Sequence, residues 1–170
     1  MATEALKSDV ITNVVASTQT LNNPRSDCKQ KLARGIVETT TGVTTGSTYR
    51  LLRLPSNAYV GSVKYRTDAM GGASAADIGL YYASNTATIG TVLDADCFGS
   101  AVSLVSALIV GTEITNEAGT AACGIEDLNT ALWQMAGLTA DPGGYFEVVA
   151  TTTATVTAGG TLVVEVEYQV

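Results

Sequence analysis

The sequence contains no histidine. The commonest acid–base side chain is therefore missing, and with it any Ser-His-Asp or Cys-His pair and any zinc site of ordinary type. Three cysteines, Cys28, Cys97 and Cys123, match no CxxC or zinc spacing and cannot all pair within one chain, so buried free thiols are expected. No apolar run approaches the roughly 18–20 residues of a membrane-spanning helix, and no membrane partner is expected. The opening stretch MATEALKSDVITNVV has no basic region followed by an apolar one, so no secretory signal is expected. Neither Gly42-Val-Thr-Thr-Gly46 nor Gly71-Gly72 follows a phosphate- or dinucleotide-binding pattern, and GxSxG does not occur. Asp94-Ala95-Asp96 offers two carboxylates without a further ligand, which reads as loop capping rather than a metal half-site. These absences leave no catalytic residue, no cofactor and no metal to assign.

Positive charge is missing from most of the chain. All nine Lys and Arg lie at or before Arg66, where they meet four acids, and residues 67–170 hold twelve acids and no base. The net charge of −7 is thus +5 followed by −12. The bases are sparse, and no aromatic platform or nucleic-acid motif accompanies them, so no nucleic acid partner is expected. A basic segment meeting an acidic neighbour in an assembly is the more economical reading. Lys29, Lys31 and Arg34 are the candidate residues for such a contact between subunits.

What the chain does have is apolar residues in short alternating runs. Hydrophobic residues make up 46% and charged residues 15%, with a mean hydropathy of +0.24. That is apolar for a soluble monomer, and it implies surface covered by other subunits as well as a core. Tyr49 to Leu54 reads as a strand ended by the turn Pro55-Ser56-Asn57. Tyr59 to Arg66 alternates, with Tyr59, Val63 and Tyr65 on one face and Ser62, Lys64 and Arg66 on the other. Ala76 to Tyr82 places Ile78, Leu80 and Tyr82 together. Ala33 to Thr45 is a further strand, with Ile36 and Glu38 read on opposite sides, while Ala101 to Val110 is apolar throughout and fits strand or helix.

Ile125 to Leu138 predicts a helix, with Asp127 as cap, Leu128, Leu132 and Met135 at helical spacing and Gly137 as stop. The last segments predict a hairpin. Tyr145 to Val156 and Thr161 to Val170 alternate around a Gly159-Gly160 turn, with Leu162, Val164, Val166, Tyr168 and Val170 inward and Glu165, Glu167 and Gln169 outward. Residues 1–32 lack such a period and end near the breakers Asn22-Asn23-Pro24, which predicts an extended arm ahead of one domain at 33–170. Short strands, Gly- and Thr-rich turns and one short helix together predict an all-β, jelly-roll-like β-sandwich.

Several ordered stretches, among them Tyr49-Arg50-Leu51-Leu52-Arg53-Leu54-Pro55-Ser56-Asn57-Ala58, Ala76-Asp77-Ile78-Gly79-Leu80-Tyr81 and Asp94-Ala95-Asp96-Cys97-Phe98, resemble virion structural proteins of tailed bacteriophages. So do Leu132-Trp133-Gln134, Gly137 to Gly143 and Thr157 to Leu162. The resemblance spans roughly residues 20–170 and is to capsid decoration, or cement, proteins. It implies a non-enzymatic protein on the outer capsid surface of the virion, made in the cytoplasm of a bacterial host. The implied partners are copies of itself, as a homotrimer, and the major capsid protein. Another virion position (head fibre base, neck or tail) is the alternative. A host-surface or carbohydrate-binding β module is another, and an exposed cluster of Tyr81 and Tyr82 beside Asp77 would favour it.

Overall fold

Alternating apolar residues on short strands can bury one face each, and here they close into two stacked sheets. A computed structural model describes residues 29–86, 89–116 and 124–170, without the side chains of Glu126 and Asn129. Its strands are β1 (Lys31–Thr39), β2 (Thr48–Pro55), β3 (Tyr59–Thr67), β4 (Ala75–Tyr82), β5 (Val92–Ser103), β6 (Leu108–Glu113), β7 (Tyr145–Thr152) and β8 (Gly160–Gln169). One sheet runs β1-β8-β3-β6 and the other β2-β7-β4-β5, all antiparallel. β1 lies beside β8, β2 beside β7, β3 beside β6 and β4 beside β5, so the first half of the chain is zipped onto the second. That winding is a jelly roll.

The inward faces supply the core. Val63 and Tyr65 of β3 and Leu162, Val164 and Val166 of β8 face Leu54 of β2, Ile78 and Leu80 of β4, Phe98 of β5, and Phe146, Val148 and Ala150 of β7, all buried. The short helix α1 (Leu132–Met135) closes one end with Leu132 and Met135 buried. Its first amides donate to the β2–β3 turn, Leu132 N to Ala58 O at 2.7 Å and Trp133 N to Ser56 O at 3.0 Å.

Several sequence expectations need correction. β7 and β8 alternate as read, except that β7 stops at Thr152 and Val170 lies beyond β8 and is 49% exposed, but they belong to different sheets and form no hairpin. Their glycines do not adopt positive φ; Gly159 is small because a Cβ there would fall 2.7 Å from the Thr39 carbonyl oxygen of β1. On β3 an extra residue at Gly61 shifts the register between Val60 and Ser62. The bulge brings Val60, rather than Tyr59, into the core with Val63 and Tyr65. Ile36 and Glu38 both face outward, as residues two apart on a strand must.

The expected helix is broken in two. Ile125–Asn129 is a 3-10 turn, and Thr130 and Ala131 are extended before α1 begins. Asp127 does not cap α1 but accepts from Gly124 N at 3.2 Å, while Gly137 at φ 72 ends the helical region as expected. Ala101 to Val110 resolves into the end of β5, a turn and the start of β6. Cys97 is buried but disulfide-bonded rather than free; Cys28 and Cys123 lie outside the described residues, as do residues 1–28 of the expected arm.

Candidate interaction surfaces

Each sheet holds one outward-facing glutamate of a central strand, Glu147 or Glu165, between two arginines. On β7, burying Phe146, Val148 and Ala150 forces Glu147 to the outer face, where its side chain is nonetheless only 3% exposed. The neighbouring strand β2 covers it. Arg50 and Arg53 are three apart and would point to opposite faces of a regular strand, but a bulge between Arg50 and Leu52 brings both to the same side. Arg50 donates to Glu147 from Nε at 2.7 Å and from Nη2 at 2.5 Å, and Arg53 donates from Nε at 2.8 Å.

The remaining guanidinium N–H groups bind the β4–β5 loop: Arg50 Nη1 to Thr86 O at 2.7 Å, Arg53 Nη1 to Asn85 Oδ1 at 3.0 Å, and Nη2 of each to Ser84 O. Burial alone would raise the Glu147 pKa. The hydrogen bonds from Arg50 and Arg53 outweigh it and hold the carboxyl below its ordinary value, and the same contact with Glu147 raises Arg50.

The other sheet repeats the device with different strands. Glu165 of β8 is bound by Arg34 Nη2 of β1 at 2.5 Å and by Arg66 Nη1 of β3 at 2.7 Å. The register aligns this outer face in rows. Arg34, Glu165, Lys64 and Glu113 form one row across all four strands, and Ile36, Val163 and Arg66 form the next. Lys64 and Glu113 are 3.9 Å apart, an exposed pair of little energetic weight.

The sequence candidates are not brought together. Lys29 precedes β1 and is exposed. Lys31 and Arg34 lie three apart on a regular strand, so they fall on opposite faces. Lys31 Nζ sits 6.0 Å from the centroid of the Tyr168 ring, a cation–π distance, and Arg34 is tied to Glu165 within the same chain.

Uncovered apolar residues occur at both edges of the β1-β8-β3-β6 sheet, as well as elsewhere, with Ile125 at 76% and Tyr145 at 57%. β1 exposes Leu32 (59%) and Ile36 (63%), and β6 exposes Ile109 (84%) and Val110 (88%). The cause at β6 is a wide bulge. Tyr65 pairs with Thr112 and Thr67 with Leu108, so Ile109, Val110 and Gly111 stand opposite Arg66 alone. Gly111 at φ 86 makes the turn. Ile109 leans toward the outer face, where it lines a depression of about 300 Å³ with Leu108, Arg66, Thr161 and Val163.

A second depression, of about 400 Å³, is lined by Arg53, Tyr82, Asn85, Pro142, Gly144 and Tyr145. Tyr82 stacks edge-on against Phe146 at 5.8 Å. Tyr81 is buried, with its hydroxyl 3.0 Å from Thr151 Oγ1. The two therefore do not form an exposed pair beside Asp77. Asp94 sits on β5 and accepts from the Asp96 amide at 3.3 Å; burial, then its contact with Asp96, raises its pKa. No three His, Cys, Asp or Glu side chains cluster for a metal among the described residues.

Compared by sequence, the chain matches no family model and no curated protein. Compared by structure, it is similar to a chain of the cyanophage Pam1 capsid asymmetric unit, with a TM-score of 0.54 and 19% identity over 84% of this chain and 86% of that one. It is also similar to a chain of the capsid of Ralstonia phage GP4, with a TM-score of 0.55 and 15% identity over 84% and 86%. These likenesses show a shared fold.

Sequence reading placed Glu165 outward but missed both arginine-clamped glutamates. The available signal at Glu147 was a lone acid inside an apolar strand, since such a carboxylate needs a cation from a neighbouring strand. The bulge at Ile109–Val110 carried no such signal, because the apolar run Ala101 to Val110 hides where the ladder breaks.

Proposed function

We propose that this chain is a non-enzymatic structural protein of a tailed-phage virion. In its sharpest form, it is a capsid decoration protein that binds the outer shell and stabilises it through contacts with copies of itself and with the major capsid protein. The observation that carries this reading is the fold shared with chains of two phage capsids. The aligned part is 84% of this chain and 86% of each of those, so the matched chains are close to this one in length. The uncovered apolar residues at both edges of one sheet support it further, because a decorating protein works through contact area rather than through a pocket. Weak contacts repeated over a shell give avidity that one site does not.

The decisive experiment is to image particles of the phage that encodes the chain, with and without it, and to melt both kinds of particle. Density for the sandwich on the outer shell and a lower disruption temperature without the protein are the expected results. Density at the neck, tail or fibre base would replace decoration with another virion role, and no density in the particle would end the virion reading.

The depression beside Tyr145 and Tyr82, with Arg53 and Asn85 at its rim, favours a second reading. Two tyrosines beside polar donors suit a sugar ring, which would make the chain a carbohydrate- or host-surface-binding module. A glycan array separates the two: saturable binding lost in Tyr145→Ala supports the module, and no binding removes it.

A further inference from the structure

We propose that the chain assembles with copies of itself head to tail, the β6 edge of one copy docking on the β1 edge of the next until a ring closes. This deepens the self-assembly part of the proposed function and rests on it, but it does not depend on where in a virion the ring sits.

Two aliphatic side chains are expelled from the ladder at Ile109 and Val110 and held out by the bulge opposite Arg66. Side chains of this size left in water forgo the free energy of burial, unless another surface covers them. The opposite edge of the same sheet presents Leu32 and Ile36, likewise uncovered.

The register makes the two edges complementary. Ile36 stands in the row that ends at Arg66 and the β6 bulge, and Arg34 stands in the row that ends at Glu113. A neighbour related by rotation about an axis along the strands would meet this edge row for row. Ile36 would face Ile109 and Val110, and the exposed half of Arg34 would face Glu113, itself half exposed. Strand direction fits too. In the antiparallel order β1-β8-β3-β6 the two edge strands run oppositely, so β6 of one copy runs antiparallel to β1 of the next. Two different patches meeting in this way form a heterologous interface, which closes into a ring when the rotation permits.

The test uses the full chain and two variants at exposed positions, Ile36→Asp and Val110→Asp, measured by sedimentation equilibrium with circular dichroism to show that each is folded. The wild type is expected to form one discrete oligomer. Each variant alone is expected to assemble at least tenfold more weakly, because one edge of every copy is spoiled. Mixed at equal amounts, the two variants should give a 1:1 heterodimer and nothing larger, since the intact β6 edge of the Ile36→Asp chain meets the intact β1 edge of the Val110→Asp chain.

A monomeric wild type, or folded variants that still assemble normally, overturns the proposal. A mixture that gives no heterodimer overturns the head-to-tail arrangement. Particle binding is scored separately: a monomer that still decorates particles removes the ring and leaves the virion role, and a ring that binds no particle does the reverse.

Discussion

Replacing Glu147 by Gln keeps the shape of the side chain and removes its charge. The carboxylate accepts three hydrogen bonds from Arg50 and Arg53 while almost fully buried. Hydrogen bonds to ionised groups contribute about 1.5–3 kcal/mol each, and breaking a fully buried ion pair costs about 3–5 kcal/mol. The arginine side chains are 27% and 42% exposed, so water can reclaim part of their hydration. Gln also keeps one accepting oxygen. The expected loss is therefore about 2–4 kcal/mol, at the lower side of the buried-pair range. It should appear as a fall in the urea midpoint at unchanged slope.

Acidification provides the control. The Glu147 pKa is depressed in the folded chain from its ordinary value of 4.5, so the unfolded chain binds its proton more readily. The stabilisation is complete above that ordinary value and is lost as pH falls through the depressed one. The gap between wild type and Glu147→Gln should close over that window. Asp94, raised by burial and then by Asp96, has the opposite sign: it opposes folding at neutral pH and relaxes on acidification. It is present in both proteins and cancels from the difference. A neutral-pH gap below about 0.5 kcal/mol, the scale of an ordinary surface change, would refute the clamp. So would a gap that survives acidification.

Val164→Asp should abolish folding, since Val164 is fully buried and an unpaired carboxylate there costs several kcal/mol against a total stability of about 5–15 kcal/mol; a soluble variant with a native melt would contradict the register of β8. Gly79→Ala should cost about 2–4 kcal/mol by overpacking, because its Cβ would fall 2.2 Å from the Asp94 carbonyl oxygen across the β4–β5 pair, and an unchanged melt would show that the strands can part. Deleting residues 1–24 should leave the melt of the sandwich unchanged and weaken assembly or particle attachment, with the remaining attachment falling as salt is added if Lys29, Lys31 and Arg34 contribute. Loss of the fold would make that segment a core element, and unchanged assembly and attachment would make it dispensable.

The strands were legible because alternation is a local property. Phe146, Val148 and Ala150, or Leu162, Val164 and Val166, announce a buried face whatever the strand pairs with. Pairing is not local, which is why β7 and β8 read as a hairpin when in fact the chain crosses between sheets after Thr152. Bulges were equally hidden. Gly61 exchanges Tyr59 for Val60 in the core, and the bulge at Leu51 turns Arg50 to the side of Arg53. No run of residue types encodes that extra step, because what selects it is the partner strand. The helix failed for a related reason: Leu132 and Trp133 dock through their amides onto the β2–β3 turn, and the preceding residues follow the chain's path to that turn rather than their own periodicity.

Charge, by contrast, carried topological information in plain view. Bases confined to the first 66 residues and acids dominating the rest would be costly in a simple up-and-down sheet. There β1, β2 and β3 would lie side by side and place like charges on neighbouring strands. The jelly-roll winding interleaves the two halves instead. It sets β1 and β3 against β8, β2 against β7, and β3 against β6, and each of those junctions carries an opposite-charge pair: Arg34 and Arg66 with Glu165, Arg50 and Arg53 with Glu147, Lys64 with Glu113. The exposed pair adds almost nothing. Glu147 and Glu165, however, are buried carboxylates that would oppose folding in any arrangement that denied them their arginines. The asymmetry that pointed to contacts between chains is thus met first inside one chain. Among the described residues, Lys29, Lys31 and the solvent-facing half of Arg34 stay exposed, at the edge of the sheet where Leu32 and Ile36 are also uncovered.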